Sequence, residues 1–473
     1  MTPMTPMTPL TTLTTRSGTR LRERFRGALL RPGEEGYDEA RRTWNGAVDR
    51  RPALIARCAG ADDVVEVVRW ARDQDLPLTV RGGGHSVQGH AVADGAVTVD
   101  LSLLKGVQVD PAARTARAAG GAVWGEFDLA TQRHGLATTG GTVSRVGVAG
   151  STLAGGFGHL ARRHGLTVDN LRAADLVTAD GRRVRADADR TPELLWGLRG
   201  GGGNFGIATA LEYDLHPVGP LVLGGFVYWP LDQAALVLRA LAEFSATAPD
   251  EFSAVVVAHR APPLPFLPPA WSGRPVLGLL LAWCGGFEEG TRVLAPLRAV
   301  GNPVADAVRP IPYRVLQTVL DAGVPGGDAA TWRSQRLERL TDPVAQEVAA
   351  RVESAPSPQA VVTGWVLGGA AGRVPAEATA VGGREGFELR FVALWPAGTD
   401  PGPHREWVRQ GWEALRPYAT GEQFATFLSD EGPAGVRAAY GSRLARLAAL
   451  KNTYDPGNVL SANVNIVPSG GSK

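Results

Sequence analysis

Three bare stretches of backbone constrain what this chain can become. "TVRGGGHSVQGH" (79–90) runs three glycines into His85 and Ser86. Residues 138–171 hold eight glycines, and "GLRGGGGNFGIAT" (197–209) holds four in a row. Glycine loses more conformational entropy on folding than any other residue. Such density therefore implies that the backbone closely approaches something, either a second loop or a ligand. Bare main-chain amides suit phosphate oxygens above all.

Two common phosphate-binding patterns are absent. No GxxxxGK[ST] occurs, which argues against a P-loop nucleotidase. Neither "AGGFGHL" nor "GGGGNFG" fits strand–GxGxxG–helix with an acidic residue about twenty positions on, as a Rossmann site requires. Separated glycine loops at 82–84, 147–158 and 200–206 can still hold a dinucleotide together. A formal charge of +2 gives no electrostatic case for nucleic acid. The two cysteines, Cys58 and Cys284, lack metal-ligand spacing and read as buried thiols. No metal site is expected. No apolar run reaches spanning length, and the Thr/Pro repeat at the N-terminus lacks the apolar segment of a secretory signal. A soluble, cytoplasmic protein is the expectation.

Residues 1–36 read as a disordered tail. "PALIARC", "LPLTVR", "AVTVDLS" and "GVQVD" read as strands. "ADDVVEVVRWARDQD" (61–75) has helical periodicity with two aspartates in its first turn. "AADLVTADGRRVRA" predicts a hairpin around Asp180-Gly181. Past Pro217 the glycine clusters thin out. Strand-like "VVVAH", "VLGLLLAWCGG" and "FELRFVALW" interleave with helical "LDQAALVLRALAEFSATA" and "REWVRQGWEALRPY". This predicts an α+β unit, a sheet covered by helices. The last forty residues return to the earlier style.

"VRGGGHSVQGH", "GVAGSTLAGGFGHLARRHGLTVDNL", "ELLWGLRGGGGNFGIAT" and "LKNTYDPGNVLSANVNIVP" resemble, in order and spacing, the FAD-linked oxidases of the berberine-bridge-enzyme-like family. Within that family the chain resembles the bacterial branch that tailors polyketides. The resemblance covers roughly residues 37–470. It implies a two-part PCMH-type FAD-binding domain (37–218), an α+β substrate domain with an antiparallel sheet under helices (219–435), and a C-terminal segment (436–473) packing back on the FAD domain.

The resemblance also implies site residues. His85 stands where relatives join the flavin 8α-methyl covalently. Arg81, Gly82, Gly83, Gly84, Ser86, Gly89 and His90 surround it. Gly141, Thr142, Gly147, Val148, Gly150, Gly155, Gly156 and Gly158 match pyrophosphate and flavin contacts, with Asp169 and Asn170 nearby. Asn204, Gly206 and Ile207 match the adenine or ribitol side, and Asn463 and Asn465 the C-terminal flavin contacts. Val143 replaces a cysteine that ties the flavin a second time in many relatives, so a single covalent link is expected. Val146 matches the family's oxygen gate, and a small side chain there favours reoxidation by O₂.

The proton-moving groups depart from the pattern. Leu444 and Phe424 stand where relatives carry tyrosines, and neither can transfer a proton. Tyr440, Glu388 and His259 remain as candidates. On "FELRFVALW", Glu388 and Arg390 share one face and Phe387, Leu389 and Phe391 the other. The resulting expectation is a covalent-FAD oxidase that passes hydride from a hydrophobic, polyketide-like metabolite to flavin N5, with O₂ as final acceptor. A redox-neutral cyclase and a carbohydrate oxidase stand as alternatives.

Overall fold

The structure, a computed structural model, describes residues 16–469. Three sheets organise it. The first is four-stranded, in the order Ala28–Leu30, Leu54–Arg57, Val97–Asp100, Leu78–Arg81. Its last three strands run parallel, which explains the continuous apolar runs read in the sequence. Helix Ala61–Asp73 covers it, burying Val64, Val67, Val68 and Trp70.

The first sheet also corrects the tail. Within 1–36, Arg16–Arg24 is a helix and Ala28–Leu30 a strand paired with Leu54–Arg57. Residues 1–15 lie outside the described residues. The buried Asp63 carboxylate fixes this segment by accepting the amides of Arg26, Gly27 and Ala59 at 2.9, 3.0 and 2.8 Å. A lone acid on an apolar helix face was the available signal.

The second sheet is five-stranded, in the order Val107–Asp110, Thr115–Ala119, Ile207–Asp214, Leu171–Val177, Arg183–Ala186, all antiparallel. Its final pair is the hairpin expected around Asp180-Gly181, with Gly181 at φ 76°.

The third sheet has eight strands. Seven run in the order Ala305–Asp306, Leu221–Pro230, Pro275–Trp283, Phe252–Arg260, Val361–Val366, Phe387–Trp395, Ala329–Leu337, and Arg309–Pro312 adds to Leu221–Pro230. Four helices, Ala234–Thr247, Phe287–Arg298, Asp342–Glu353 and Gly402–Leu415, cover one face. Strand alternation sorts the side chains. Ala254, Val256, Ala258, Phe387, Leu389 and Phe391 join the core under the helices. Val255, Val257, His259, Arg390 and Val392 turn to the other face, toward the glycine loops. Cys58 and Cys284 are buried and free, as expected.

The C-terminal helix Leu444–Tyr454 packs against Pro192–Leu198. Beyond it, a buried Lys451 ammonium donates to the Asp455 carboxylate at 2.7 Å and to the carbonyls of Asn204 and Leu460, both at 3.0 Å. Asp455 in turn accepts the amides of Val459 and Leu460 at 2.8 Å.

Candidate active site

A cavity of about 830 Å³ lies between the glycine loops and the uncovered face of the eight-stranded sheet. Its chemistry begins with the loop after strand Leu78–Arg81. The loop's carbonyls are held from behind. The Trp44 amide donates to Gly84 O at 3.0 Å, and the Asn45 side-chain amide donates to Val87 O at 2.6 Å. The Arg50 guanidinium takes the carbonyls of Gln88, Gly89 and Val92. The amides of Gly83 through Gln88 are left with no protein acceptor among the described residues. Six consecutive free donors form a cradle for an anion. The amides of Gly141, Thr142 and Val143, also on the wall, are free in the same sense. Sequence reasoning missed Trp44, Asn45 and Arg50. They lie forty positions upstream, and only the fold brings them behind the loop.

The bare backbone has a second cause. A Cβ on Gly83 would stand 2.3 Å from the Gly147 nitrogen, and one on Gly147 would stand 2.5 Å from the Gly83 nitrogen. The two loops therefore touch backbone to backbone, as the glycine density implied.

His85 sits on the cavity wall, stacked on Trp44 at 5.4 Å and 18°. Burial, and then the Arg145 charge, lower its pKa to about 4. The imidazole is thus neutral at physiological pH, the nucleophilic form. His90 also lines the wall, and burial holds it near 4 as well.

The wall further includes Gly82, Gly84, Ser86, Gly141, Thr142, Val146, Gly147, Gly150, Gly156, Gly206, Ile207, Asn463, His259 and Tyr440. Asn463 keeps a buried Oδ1 without a partner, as does the neighbouring Asn465 off the wall. Such orphaned acceptors await a donor.

Several residues expected at the cofactor are not on this wall. Arg81 donates to Ala40 O, and Gly89 packs its α-carbon on Val48 in a turn at φ 67°. Val148 begins the buried helix Val148–Leu153. Gly155 packs on Val381, and Gly158 against the Gly140 carbonyl. Asp169 is ion-paired with Arg384 at 2.7 Å. Asn170 donates to His164 O and Leu166 O, both at 2.9 Å, and meets the His216 ring at 2.6 Å. The side chain of Asn204 clamps the C-terminal segment. Its Nδ2 donates to Val464 O at 3.0 Å, and its Oδ1 accepts the Ile466 amide at 3.0 Å. A short polar side chain beside glycines serves a ligand or a chain crossing equally well, and sequence alone does not separate the two.

The three acid–base candidates separate. Tyr440 lines the wall, its hydroxyl is buried without a partner, and burial raises its pKa. His259 lines the wall, its Nε2 3.3 Å from the Tyr228 hydroxyl, and burial lowers its pKa to about 4. Tyr228, unnoticed in the sequence, also lines the cavity.

Glu388 does not line it. Its carboxyl is buried beneath the wall, opposite Arg336 in the ladder. Burial raises its pKa to about 7, against the opposing pull of Ser334, Arg336 and Arg390. The folded chain thus keeps this proton up to about pH 7, whereas an unfolded chain releases it near 4.5. Stability from this group falls as pH rises through that window, by about 3 kcal/mol in all. Glu388→Gln is therefore expected to match wild type in urea denaturation at pH 4 and to exceed it by about 3 kcal/mol at pH 8. An equal offset at both pH values would contradict this assignment.

Leu444 and Phe424 are apolar packing groups here. Phe424 meets Phe157 edge-on at 4.4 Å, and Leu444 packs against the core of the second sheet.

Unpartnered amides on close-packed glycine loops suit the phosphates of a dinucleotide. A family model described as an FAD binding domain matches residues 52–187. (R)-6-hydroxynicotine oxidase of Paenarthrobacter nicotinovorans is 31% identical over 462 residues, covering 94% of this chain and 97% of that protein. The chain belongs to the FAD-linked oxidoreductases of the berberine-bridge-enzyme-like, PCMH-type fold, and is an oxidoreductase of that family. The crystal structure of 6-hydroxy-D-nicotine oxidase from Arthrobacter nicotinovorans superposes with a TM-score of 0.83 at 29% identity, over 93% of this chain and 98% of that one. Glucooligosaccharide oxidase from Acremonium strictum shares the fold, with a TM-score of 0.84 at 22% identity over 96% and 99% of the two chains. Among the described residues, no helix is long and apolar enough to cross a membrane.

Proposed function

We propose that this protein is an oxidase whose FAD is tethered once, through His85, and whose substrate is a hydrophobic secondary metabolite of polyketide-like character. The observation that carries the reading is the juxtaposition in one cavity of the free amides of Gly83–Val87, the neutral His85, and an aromatic sheet face. When bound, FAD supplies a two-electron acceptor that O₂ can reoxidise.

The chain supplies the rest. The amides of Gly83–Val87 bind the diphosphate, and Asn463 offers an unpaired acceptor to the ring system. Val143 offers no thiol, so His85 is the sole anchor; the Acremonium relative is described with both cysteinyl and histidyl attachment. Val146, on the wall, leaves space for O₂. On the substrate side, Phe226, Tyr228, Val257, Trp332, Trp365 and Val392 give an apolar, aromatic wall that suits a fused-ring or polyene substrate better than a sugar. His259, neutral and hydrogen-bonded to Tyr228, accepts the substrate proton in this reading, with Tyr440 as the second candidate.

The test uses purified holoenzyme with a panel of aromatic polyketides and of oligosaccharides. Anaerobic bleaching of the flavin by a polyketide, with recovery and H₂O₂ release in air, is the expected result. Bleaching by the sugars alone, or turnover of a polyketide without bleaching, would overturn it in favour of a carbohydrate oxidase or a redox-neutral cyclase respectively.

A further inference from the structure

One charged group on the cavity wall forms no ion pair among the described residues. Arg390 projects from strand Phe387–Trp395 on the face that meets the glycine loops. Its guanidinium lies between two rings, 4.4 Å from the Phe427 centroid and 5.3 Å from that of Trp332. Two such ring contacts fix the plane of the cation. Its Nε reaches Thr363 Oγ1 at 3.5 Å. Its two terminal nitrogens have no protein acceptor, and no carboxylate forms an ion pair with it, among the described residues.

The surroundings are equally one-sided. The cavity wall carries Arg390, Arg260, His85, His90 and His259, and among the described residues no aspartate or glutamate. Arg260 is already engaged with the carbonyls of Gly273 and Glu353. Glu388, two residues back on the same strand face, forms no ion pair with it among the described residues, and burial holds its carboxyl proton until about pH 7, so it carries only part of a charge near neutrality. The guanidinium is half-buried, and its fork opens into the cavity. The group that fits is a planar, delocalised oxygen pair, which takes two parallel N–H···O bonds.

We propose that Arg390 is a specificity-determining residue, and that the substrate docks on it through a delocalised oxyanion, either a carboxylate or the enolate of a β-dicarbonyl, while its apolar body lies against the aromatic wall. The inference rests on the substrate cavity identified above, but on neither the tether nor turnover. Arg390 touches substrate without transferring a proton; its charge selects and orients.

The experiment is isothermal titration calorimetry of the holoenzyme with 2-naphthoate and with its neutral isostere 2-naphthamide. A second arm uses a cyclic β-diketone of low pKa and its O-methyl enol ether, which separates carboxylate from enolate recognition. At least about a tenfold preference for one anion over its neutral partner is expected. Arg390→Met should abolish that preference with the flavin absorbance unchanged, and Arg390→Lys should keep part of it, because a point charge replaces the fork. Equal binding of anion and neutral partner in both arms would overturn the proposal. So would a preference that survives R390M, or loss of flavin from a folded R390M, which would make Arg390 a cofactor contact. If R390M does not fold, R390K decides: a reduced preference supports the proposal and an unchanged one overturns it. Binding heats need neither oxidation nor a covalent flavin, so failure here and failure of the oxidase reading are told apart.

Discussion

Gly83→Ala is expected to yield a protein that purifies with a small fraction of the wild-type flavin. The added Cβ would meet the Gly147 nitrogen at 2.3 Å and its α-carbon at 2.6 Å. Both obstacles are backbone, so no rotamer change relieves them. One loop must move, and each carries part of the wall that holds the dinucleotide. A forced displacement of packed backbone costs about 3 kcal/mol. Set against the cofactor-competent arrangement alone, that is roughly a hundredfold weaker retention. Flavin absorbance per protein, with the thermal midpoint of the same sample, measures both. Gly457→Ala is the control, since its Cβ would meet Val459 at an ordinary 3.7 Å at an exposed position. Full flavin content in G83A would contradict the interlocked-loop geometry.

Lys451→Met is expected to lower unfolding free energy by about 3–5 kcal/mol, the usual cost of stranding one member of a buried ion pair. Lys451 and Asp455 are both fully buried, 2.7 Å apart. Removing the ammonium leaves the Asp455 carboxylate with only the two amides it already accepts, and takes a donor from the carbonyls of Asn204 and Leu460. The damage reaches the site because Leu460, Ala462, Asn463 and Val464 wall the cavity. Denaturant unfolding should therefore shift together with flavin retention. Loss of stability with full retention would separate the C-terminal lock from the cofactor site. A loss under about 1 kcal/mol would mean that the pair contributes little.

These two sites also show where sequence reading succeeds and where it stops. Gly83 was legible because its reason is local: consecutive glycines beside a histidine imply close backbone approach before any partner is known. The partner, Gly147, is sixty-four residues away but sits in a second glycine cluster, so the pairing was half visible. The strand alternation of "FELRFVALW" was legible for the same local reason. Phe387, Leu389 and Phe391 do face the helices, and Arg390 faces the cavity.

Lys451, Asn204 and Trp44 were not legible in this way. Each acts through a contact made only once distant segments cross, and its residue type fits several roles equally. The side chain of Asn204 clamps the C-terminal segment, a role its residue type alone does not signal. Glu388 was read as a base and lies beneath the wall. Arg390 was placed on the right face, but its open fork depends on Trp332 and Phe427, which come from other elements. The strand Ala329–Leu337, "AATWRSQRL", mixes charge with apolar residues and gave no clear period, so the width of the sheet was not legible either.

The central claim is that His85 alone anchors FAD. It is tested most directly by intact-mass and peptide mass spectrometry after acid denaturation. Wild type is predicted to carry one FAD, less two hydrogens, on the peptide that contains His85, and to give a yellow pellet. His85→Ala is predicted to give an unmodified chain and a colourless pellet. An unmodified wild-type chain, or an adduct on any other residue, would contradict the account.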